Sequence, residues 1–153
     1  TKKNGATVYV DYAHTPDAID VALKSLRPHV LGKLIVIIGA GGERDQGKRP
    51  LMGAAAEKNS DFVIITDDNP RTEDPSVIHQ MIKNGIQNDN KVTVIADRAE
   101  AILNAVNLLE EGDGLLITGK GHETEQVIGE NNFPFDDFEQ ASLSVASLDG
   151  LEK

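Results

Sequence analysis

The 153-residue sequence predicts an α/β domain of Rossmann-like type: a mostly parallel sheet with helices on both faces, and a β segment and helix at its C-terminal end. Three observations predict it. Short runs of Val, Ile, Leu and Phe alternate with longer stretches of helical periodicity. The run Leu34-Ile35-Val36-Ile37-Ile38 is apolar at every position, as a parallel strand buried on both faces must be. The residues with chemical capacity crowd into the segments that follow strands, while the segments that precede them carry ordinary material such as Asn59-Ser60 and Glu111-Gly112-Asp113.

Taken in order, residues 8–10 form a short first strand. Asp11-Tyr12-Ala13-His14-Thr15-Pro16 then leads into a helix over 17–26, with Thr15 as its N-cap and Pro16 at the first helical position, where no N–H is needed. Residues 34–38 are the second strand, followed by a glycine-rich loop and a helix opening at Pro50 and running to Asn59. Residues 62–65 form the third strand, and Asp74-Pro75 introduces a helix over 76–85. Residues 92–95 are the fourth strand. The next helix, 98–110, places Ala101, Ile102, Ala105, Val106 and Leu109 on one face. Residues 115–117 make the fifth strand. A weaker β segment at 125–128, a turn at 129–132 and a helix from Asp137 complete the chain.

In open sheets of this kind, ligands bind outside the carboxyl ends of the strands. The strand-to-helix loops therefore share one rim, carrying Asp11 and His14, residues 39–49, residues 67–71, Asp97 and Arg98, and residues 119–123. The most informative is Thr66-Asp67-Asp68-Asn69-Pro70-Arg71. Carboxylates, an amide, a stiffening proline and a guanidinium in so short a run suit a ligand that carries both an amine and a carboxylate. An Asn-Pro turn with a solvated arginine would use the same residues.

Gly39-Ala40-Gly41-Gly42-Glu43-Arg44 begins like a dinucleotide fingerprint but has Arg44 where the third glycine belongs. Gly42 and Gly47-Lys48 have P-loop spacing, yet Arg49 stands where magnesium needs a Ser or Thr hydroxyl, and Glu43 and Asp45 would repel phosphate. Arg44, Lys48 and Arg49 could still face an anion at a helix N-terminus; a glycine turn with solvated charges is the plainer alternative. In Gly119-Lys120-Gly121-His122-Glu123, Glu123 could hold an ammonium and Lys120 could face phosphate. His14 and His122 reach the rim but lack the spacing and third ligand of a metal site. His29 and His79 fall on or beside helices, as packing or surface residues.

Composition narrows the field. Hydrophobic content of 39% and charged content of 26% are ordinary for a globular domain. The net charge of −10 argues against non-specific nucleic-acid binding and docking on anionic membranes. Without cysteine there are no disulfides or thiolate metal sites, and no run approaches the roughly 20 apolar residues needed to span a bilayer. The start, Thr1-Lys2-Lys3-Asn4-Gly5, lacks the apolar core of a signal peptide and an initiator Met, so the chain reads as a fragment or a processed product.

Four segments taken together, DYAHTPDA (11–18), GAGGERDQGKRPLMG (39–53), TDDNPRTEDP (66–75) and TGKGHE (118–123), resemble the C-terminal domain of the Mur ligases. The similarity runs in order over residues 8–135. It is narrowest to the branch that adds the third residue to the UDP-N-acetylmuramoyl-dipeptide of bacterial peptidoglycan, where DNPR marks members that add meso-2,6-diaminopimelate instead of lysine.

The resemblance implies a diaminopimelate site of Arg44, Asp68, Asn69, Arg71, Gly119 and Glu123, with Pro70 inside the motif. Asp11, Tyr12 and His14 match the segment facing the nucleotide; Lys48, Arg49, Lys120 and His122 would support the site. It also implies an ATP-dependent amide ligase passing through an acyl phosphate on the nucleotide-linked peptide. ATP and Mg2+ would be bound mainly by a central domain, and the UDP group by another, both absent from this chain. The implied protein is monomeric, cytoplasmic and bacterial, and the isolated chain is inactive. Two departures stand out: Phe138 replaces a frequent arginine, and Glu43 replaces aspartate. A lysine-adding or polyglutamate-type ligase, and a non-catalytic nucleotide- or amino-acid-binding module, remain as alternatives.

Overall fold

The alternation of apolar runs and amphipathic stretches resolves into β1 (Thr7–Val10), α1 (Pro16–Leu26), β2 (Leu34–Ile38), α2 (Lys48–Asn59), β3 (Phe62–Ile65), α3 (Pro75–Lys83), β4 (Val92–Val94), α4 (Arg98–Leu108), β5 (Gly114–Ile117), β6 (Glu125–Ile128), β7 (Asn131–Pro134) and α5 (Asp137–Leu151). The structure, a computed structural model, describes residues 4–42, 44–121 and 123–151. Five strands form one parallel sheet in the order β1-β5-β2-β3-β4, and β6 and β7 form a separate antiparallel pair. β2 is central, with Ile35 opposite Phe62 on one side and Leu115 on the other.

Side chains of β2 alternate between two cores, as strand geometry requires. Leu34, Val36 and Ile38 join Ile19 and Leu23 of α1, Met52 and Ala56 of α2, and Ile78 and Ile82 of α3. Ile35 and Ile37 join Ala101, Ile102, Ala105 and Val106 of α4 and Ala141 of α5. Helices α1, α2 and α3 therefore cover one face, and α4 and α5 the other. No helix among the described residues is long and apolar enough to cross a membrane.

The expected caps form. The Thr15 side chain accepts from the Ala18 N–H, Asp74 from Ser76, and Asp97 from Ala99 and Glu100. Helix α2 starts two residues before the expected Pro50, because a proline is tolerated anywhere in a first turn whose N–H groups lack intrahelical partners. Helices α3 and α4 each end two residues early, at Lys83 and Leu108. Strand β7 occupies part of the expected turn. Asn131, Asn132 and Pro134 are poor strand formers, and all four β7 residues are exposed, so pairing with β6 and not intrinsic preference makes this strand.

Candidate functional site

The sheet order explains where a cleft opens. From β2 the chain crosses to α2 on one face, whereas β5, beside β2, leads towards α5 on the other; the loops between them diverge. A cavity of about 380 Å³ lies there, lined by the loops after β1, β2, β3 and β5. Its walls include Tyr12, His14, Arg44, Lys48, Asp68, Asn69, Arg71, Gly119 and Glu123, which the sequence brought forward as site residues. Arg49, also brought forward, borders it with its side chain turned into the protein, and Thr15, Gly39, Ala40, Gly41, Asp45 and Met52 complete it. The rim bearing Asp97 and Arg98 contributes none of the lining.

Backbone fit joins the loops. A methyl on Gly39 would sit 2.6 Å from Thr66 O, and one on Gly42 would sit 1.8 Å from Pro70 O. The Gly42 N–H donates to Asn69 O at 2.8 Å. The P-loop-like segment therefore packs at Gly42 against the loop after β3, residues 66–71, the candidate recognition loop. Pro70 is buried and contributes backbone shape, without lining the cavity.

The recognition loop is also splinted by β6. Gln126 Nε2 donates to Asp68 O at 2.9 Å, and the Val127 N–H donates to Asn69 Oδ1 at 2.9 Å. The Arg71 N–H donates to Val127 O at 3.0 Å, and the Gly129 N–H donates back to Arg71 O. Arg71 has φ +55°, the left-handed region that disfavours L side chains. Bonds on both sides of Arg71 hold it in that conformation, consistent with a strained residue fixed by its surroundings. Its Nη1 donates to Gly42 O and Asn69 O at 3.0 and 3.2 Å, steering the guanidinium along the cavity wall.

Arg44 and Arg71 flank Gly41: a methyl there would lie 3.2 Å from Arg44 Cγ and 2.9 Å from Arg71 Nη1. Two guanidinium-bearing side chains therefore share one wall. Asp68 and the exposed Glu123 bring negative charge to the same cavity, so it offers complements to both ends of a zwitterion. Gly119, at φ +109°, lies close to Asp68, whose Oδ2 would be 3.4 Å from an added methyl. Gly121, at φ +56°, allows Tyr12 to approach, and the rings of Tyr12 and His14 lie 4.8 Å apart.

Several polar residues serve the scaffold instead. Arg49 was expected to face an anion; it is buried, with Nη2 donating to Glu73 Oε1 at 2.8 Å and to Gly41 O at 3.1 Å. Lys120 was expected to face phosphate; it is fully buried, donating to Asn69 Oδ1 at 2.8 Å and Glu125 O at 3.0 Å, with Asp68 Oδ1 3.3 Å away. Burial pushes the Lys120 ammonium below the ordinary lysine value, and Asp68 opposes the shift. His79 is buried on α3, its Nε2 2.6 Å from Asp67 Oδ1. Asp11 lies in a shallow groove beside the cavity together with Tyr12 and His14. Phe138 is exposed on α5 beside β1, away from the cavity. Glu43 and His122 lie outside the described residues.

Sequence reasoning overlooked the pair that ties the rim together. Arg98 Nε and Nη2 donate to Asp137 at 2.7 and 2.6 Å; Nη2 also reaches Thr118 O at 2.8 Å and Nη1 reaches Asp67 O at 3.2 Å. Burial alone would lower the Arg98 pKa, but Asp137, together with the charges of Asp68 and Asp67, holds it above the usual arginine value. Both side chains are fully buried. No cluster able to hold a metal ion occurs among the described residues.

The family model for the Mur ligase, glutamate ligase domain, matches residues 1–121. A UDP-N-acetylmuramoyl-L-alanyl-D-glutamate--2,6-diaminopimelate ligase from Coxiella burnetii is 54% identical over 138 residues, covering 90% of this chain and 28% of the relative. A ligase of the same name from Bradyrhizobium diazoefficiens is 51% identical over 146 residues, with coverages of 95% and 30%. The chain spans less than a third of either curated relative. A solved ligase structure of that name superimposes with TM-score 0.89 at 44% identity, covering 92% of this chain and 29% of that one. The folylpolyglutamate synthase of Thermotoga maritima, at 23% identity, 72% and 25% coverage and TM-score 0.51, shares the fold alone.

Proposed function

The chain belongs to the Mur ligase family, in its glutamate ligase domain, and we propose that it is the C-terminal, amino-acid-binding domain of a meso-2,6-diaminopimelate-adding ligase. In this reading the whole protein joins diaminopimelate to UDP-N-acetylmuramoyl-L-Ala-D-Glu at the expense of ATP, in the bacterial cytoplasm, as a monomer serving peptidoglycan synthesis. The UDP-binding and central ATP-binding domains lie elsewhere in that protein.

The observation that carries this reading is the placement of Arg44 and Arg71 together beside Gly41, in a cavity that also holds Asp68 and Glu123. Diaminopimelate differs from lysine by a carboxylate on its second amino-bearing carbon, so selection requires a group that binds that carboxylate. A guanidinium does so with two parallel hydrogen bonds. The names of relatives about half identical to the chain support the same ligand.

This chain's residues do not fit the ATP phosphates and Mg2+. Arg49, at the P-loop's hydroxyl position, is buried against Glu73, and Gly42 is pinned to the recognition loop. Those groups therefore belong to the central domain, with Tyr12 and His14 facing the nucleotide across the cleft. Here the domain's work is to orient the amine and exclude lysine. Phosphate release by the full-length protein, given ATP and the UDP-linked dipeptide, tests the reading. Release should depend on diaminopimelate and be weak with lysine; equal use of lysine would refute it.

A further inference from the structure

The orientation of the Asn69 amide decides what the recognition loop can read. Its side-chain oxygen lies 2.8 Å from Lys120 Nζ and 2.9 Å from the Val127 N–H. An ammonium has donors and no acceptor, and a backbone N–H is likewise only a donor. Turning the amide over would set its NH2 against both, one of them a buried charge. The neighbours' chemistry therefore fixes oxygen at that position, independently of how an amide is drawn. What remains of the amide is its NH2, on a residue that lines the cavity.

Lys120 is itself held, by Glu125 O at 3.0 Å and Asp68 Oδ1 at 3.3 Å, with no side-chain exposure. From this we propose that Lys120 is a positioning residue that locks Asn69 as a hydrogen-bond donor, so that Asn69 Nδ2 and the Arg71 guanidinium together read the ligand's carboxylate. With its oxygen committed to Lys120 and Val127, Asn69 is no acceptor for the ligand's ammonium, which is left to Asp68 and Glu123. The inference rests on the diaminopimelate reading and adds a division of labour within it: donors on one side, carboxylates on the other.

The test uses the full-length enzyme and two substrates, diaminopimelate and its monoamide carrying a carboxamide in place of the carboxylate at the non-reacting end. The readout is the ratio of their kcat/KM values. Wild type should favour the acid. Asn69→Asp keeps the shape and an oxygen towards Lys120 and Val127, but replaces the NH2 with an oxygen that repels a carboxylate. Its acid-to-amide ratio should fall by about ten- to a hundred-fold. Lys120→Met removes the charged one of the two donors that hold the amide oxygen, loosens the orientation of Asn69 and should lower the same ratio. A merely structural lysine would depress both substrates equally and leave the ratio unchanged, which overturns the proposal. So does an Asn69→Asp enzyme with an undiminished ratio, and this variant carries the test should Lys120→Met fail to fold. If wild type did not use diaminopimelate at all, the functional reading itself would fall, a result distinct from an unchanged ratio.

Discussion

Asp137→Ala should be the most destabilising single change at the rim. It leaves the Arg98 guanidinium, with 0% side-chain exposure, hydrogen-bonded to Thr118 O and Asp67 O but without its paired carboxylate. Both Arg98–Asp137 hydrogen bonds disappear while the buried charge stays. Removing one partner of a buried ion pair costs about 3–5 kcal/mol, a large share of the roughly 5–15 kcal/mol that holds a domain folded. At about 2–4 °C per kcal/mol for a domain of this size, melting should fall by roughly 6–20 °C. Urea denaturation of the 153-residue chain measures it, with the slope of the transition checked for constancy. The double change Arg98→Met with Asp137→Leu should recover much of the loss, because an apolar pair has no charge to desolvate. A loss below about 1 kcal/mol in Asp137→Ala would refute the claim that this pair clamps the loops after β3 and β5.

Three further outcomes are expected. Arg71→Gly should be more stable than Arg71→Ala by about 1 kcal/mol, because glycine relieves the left-handed strain at φ +55°; equal stabilities would show that no strain is stored there. Gly42→Ala forces a methyl to within 1.8 Å of Pro70 O, so it should cost about 1–3 kcal/mol and weaken ligand binding by parting the two loops. Titration of this variant by calorimetry and urea would contradict the packing if both properties stayed at wild-type values. Glu57 is held below its ordinary 4.5, first by the Asn88 N–H, against a smaller opposing effect of burial. A lowered carboxylate adds stability above the unfolded value and loses it as pH falls through the folded value. Glu57→Gln should therefore flatten the decline in urea midpoint below pH 4.5, and parallel curves for the two proteins would count against it.

The sheet was legible because burial on both faces leaves a plain mark: Leu34–Ile38 could be little else. The position of the cleft was legible because loops after parallel strands share an edge, and the motif residues stand on four of them. The sequence could not distinguish charges aimed at a ligand from charges aimed at the protein. Arg49, Arg98 and Lys120 look as available as Arg71, yet their partners lie 24, 39 and 51 residues away, in Glu73, Asp137 and Asn69. Pairing over such separations is decided by tertiary packing, to which local spacing is blind. The role of β6 was hidden for the same reason. Its residues hold Asp68, Asn69 and Arg71 by bonds to backbone and amide that no pattern of side-chain types announces.

The central claim is that Arg71 selects diaminopimelate by its second carboxylate, and steady-state kinetics of Arg71→Ala and Arg71→Lys in the full-length enzyme test it most directly. A lost charge-assisted bidentate contact corresponds to roughly one to two orders of magnitude in kcat/KM for diaminopimelate. The KM for ATP should stay near wild type, and lysine at position 71 should restore little, because a point charge cannot reproduce the planar fork. Full diaminopimelate efficiency in Arg71→Ala, or a loss of ATP affinity in its place, would contradict the assignment.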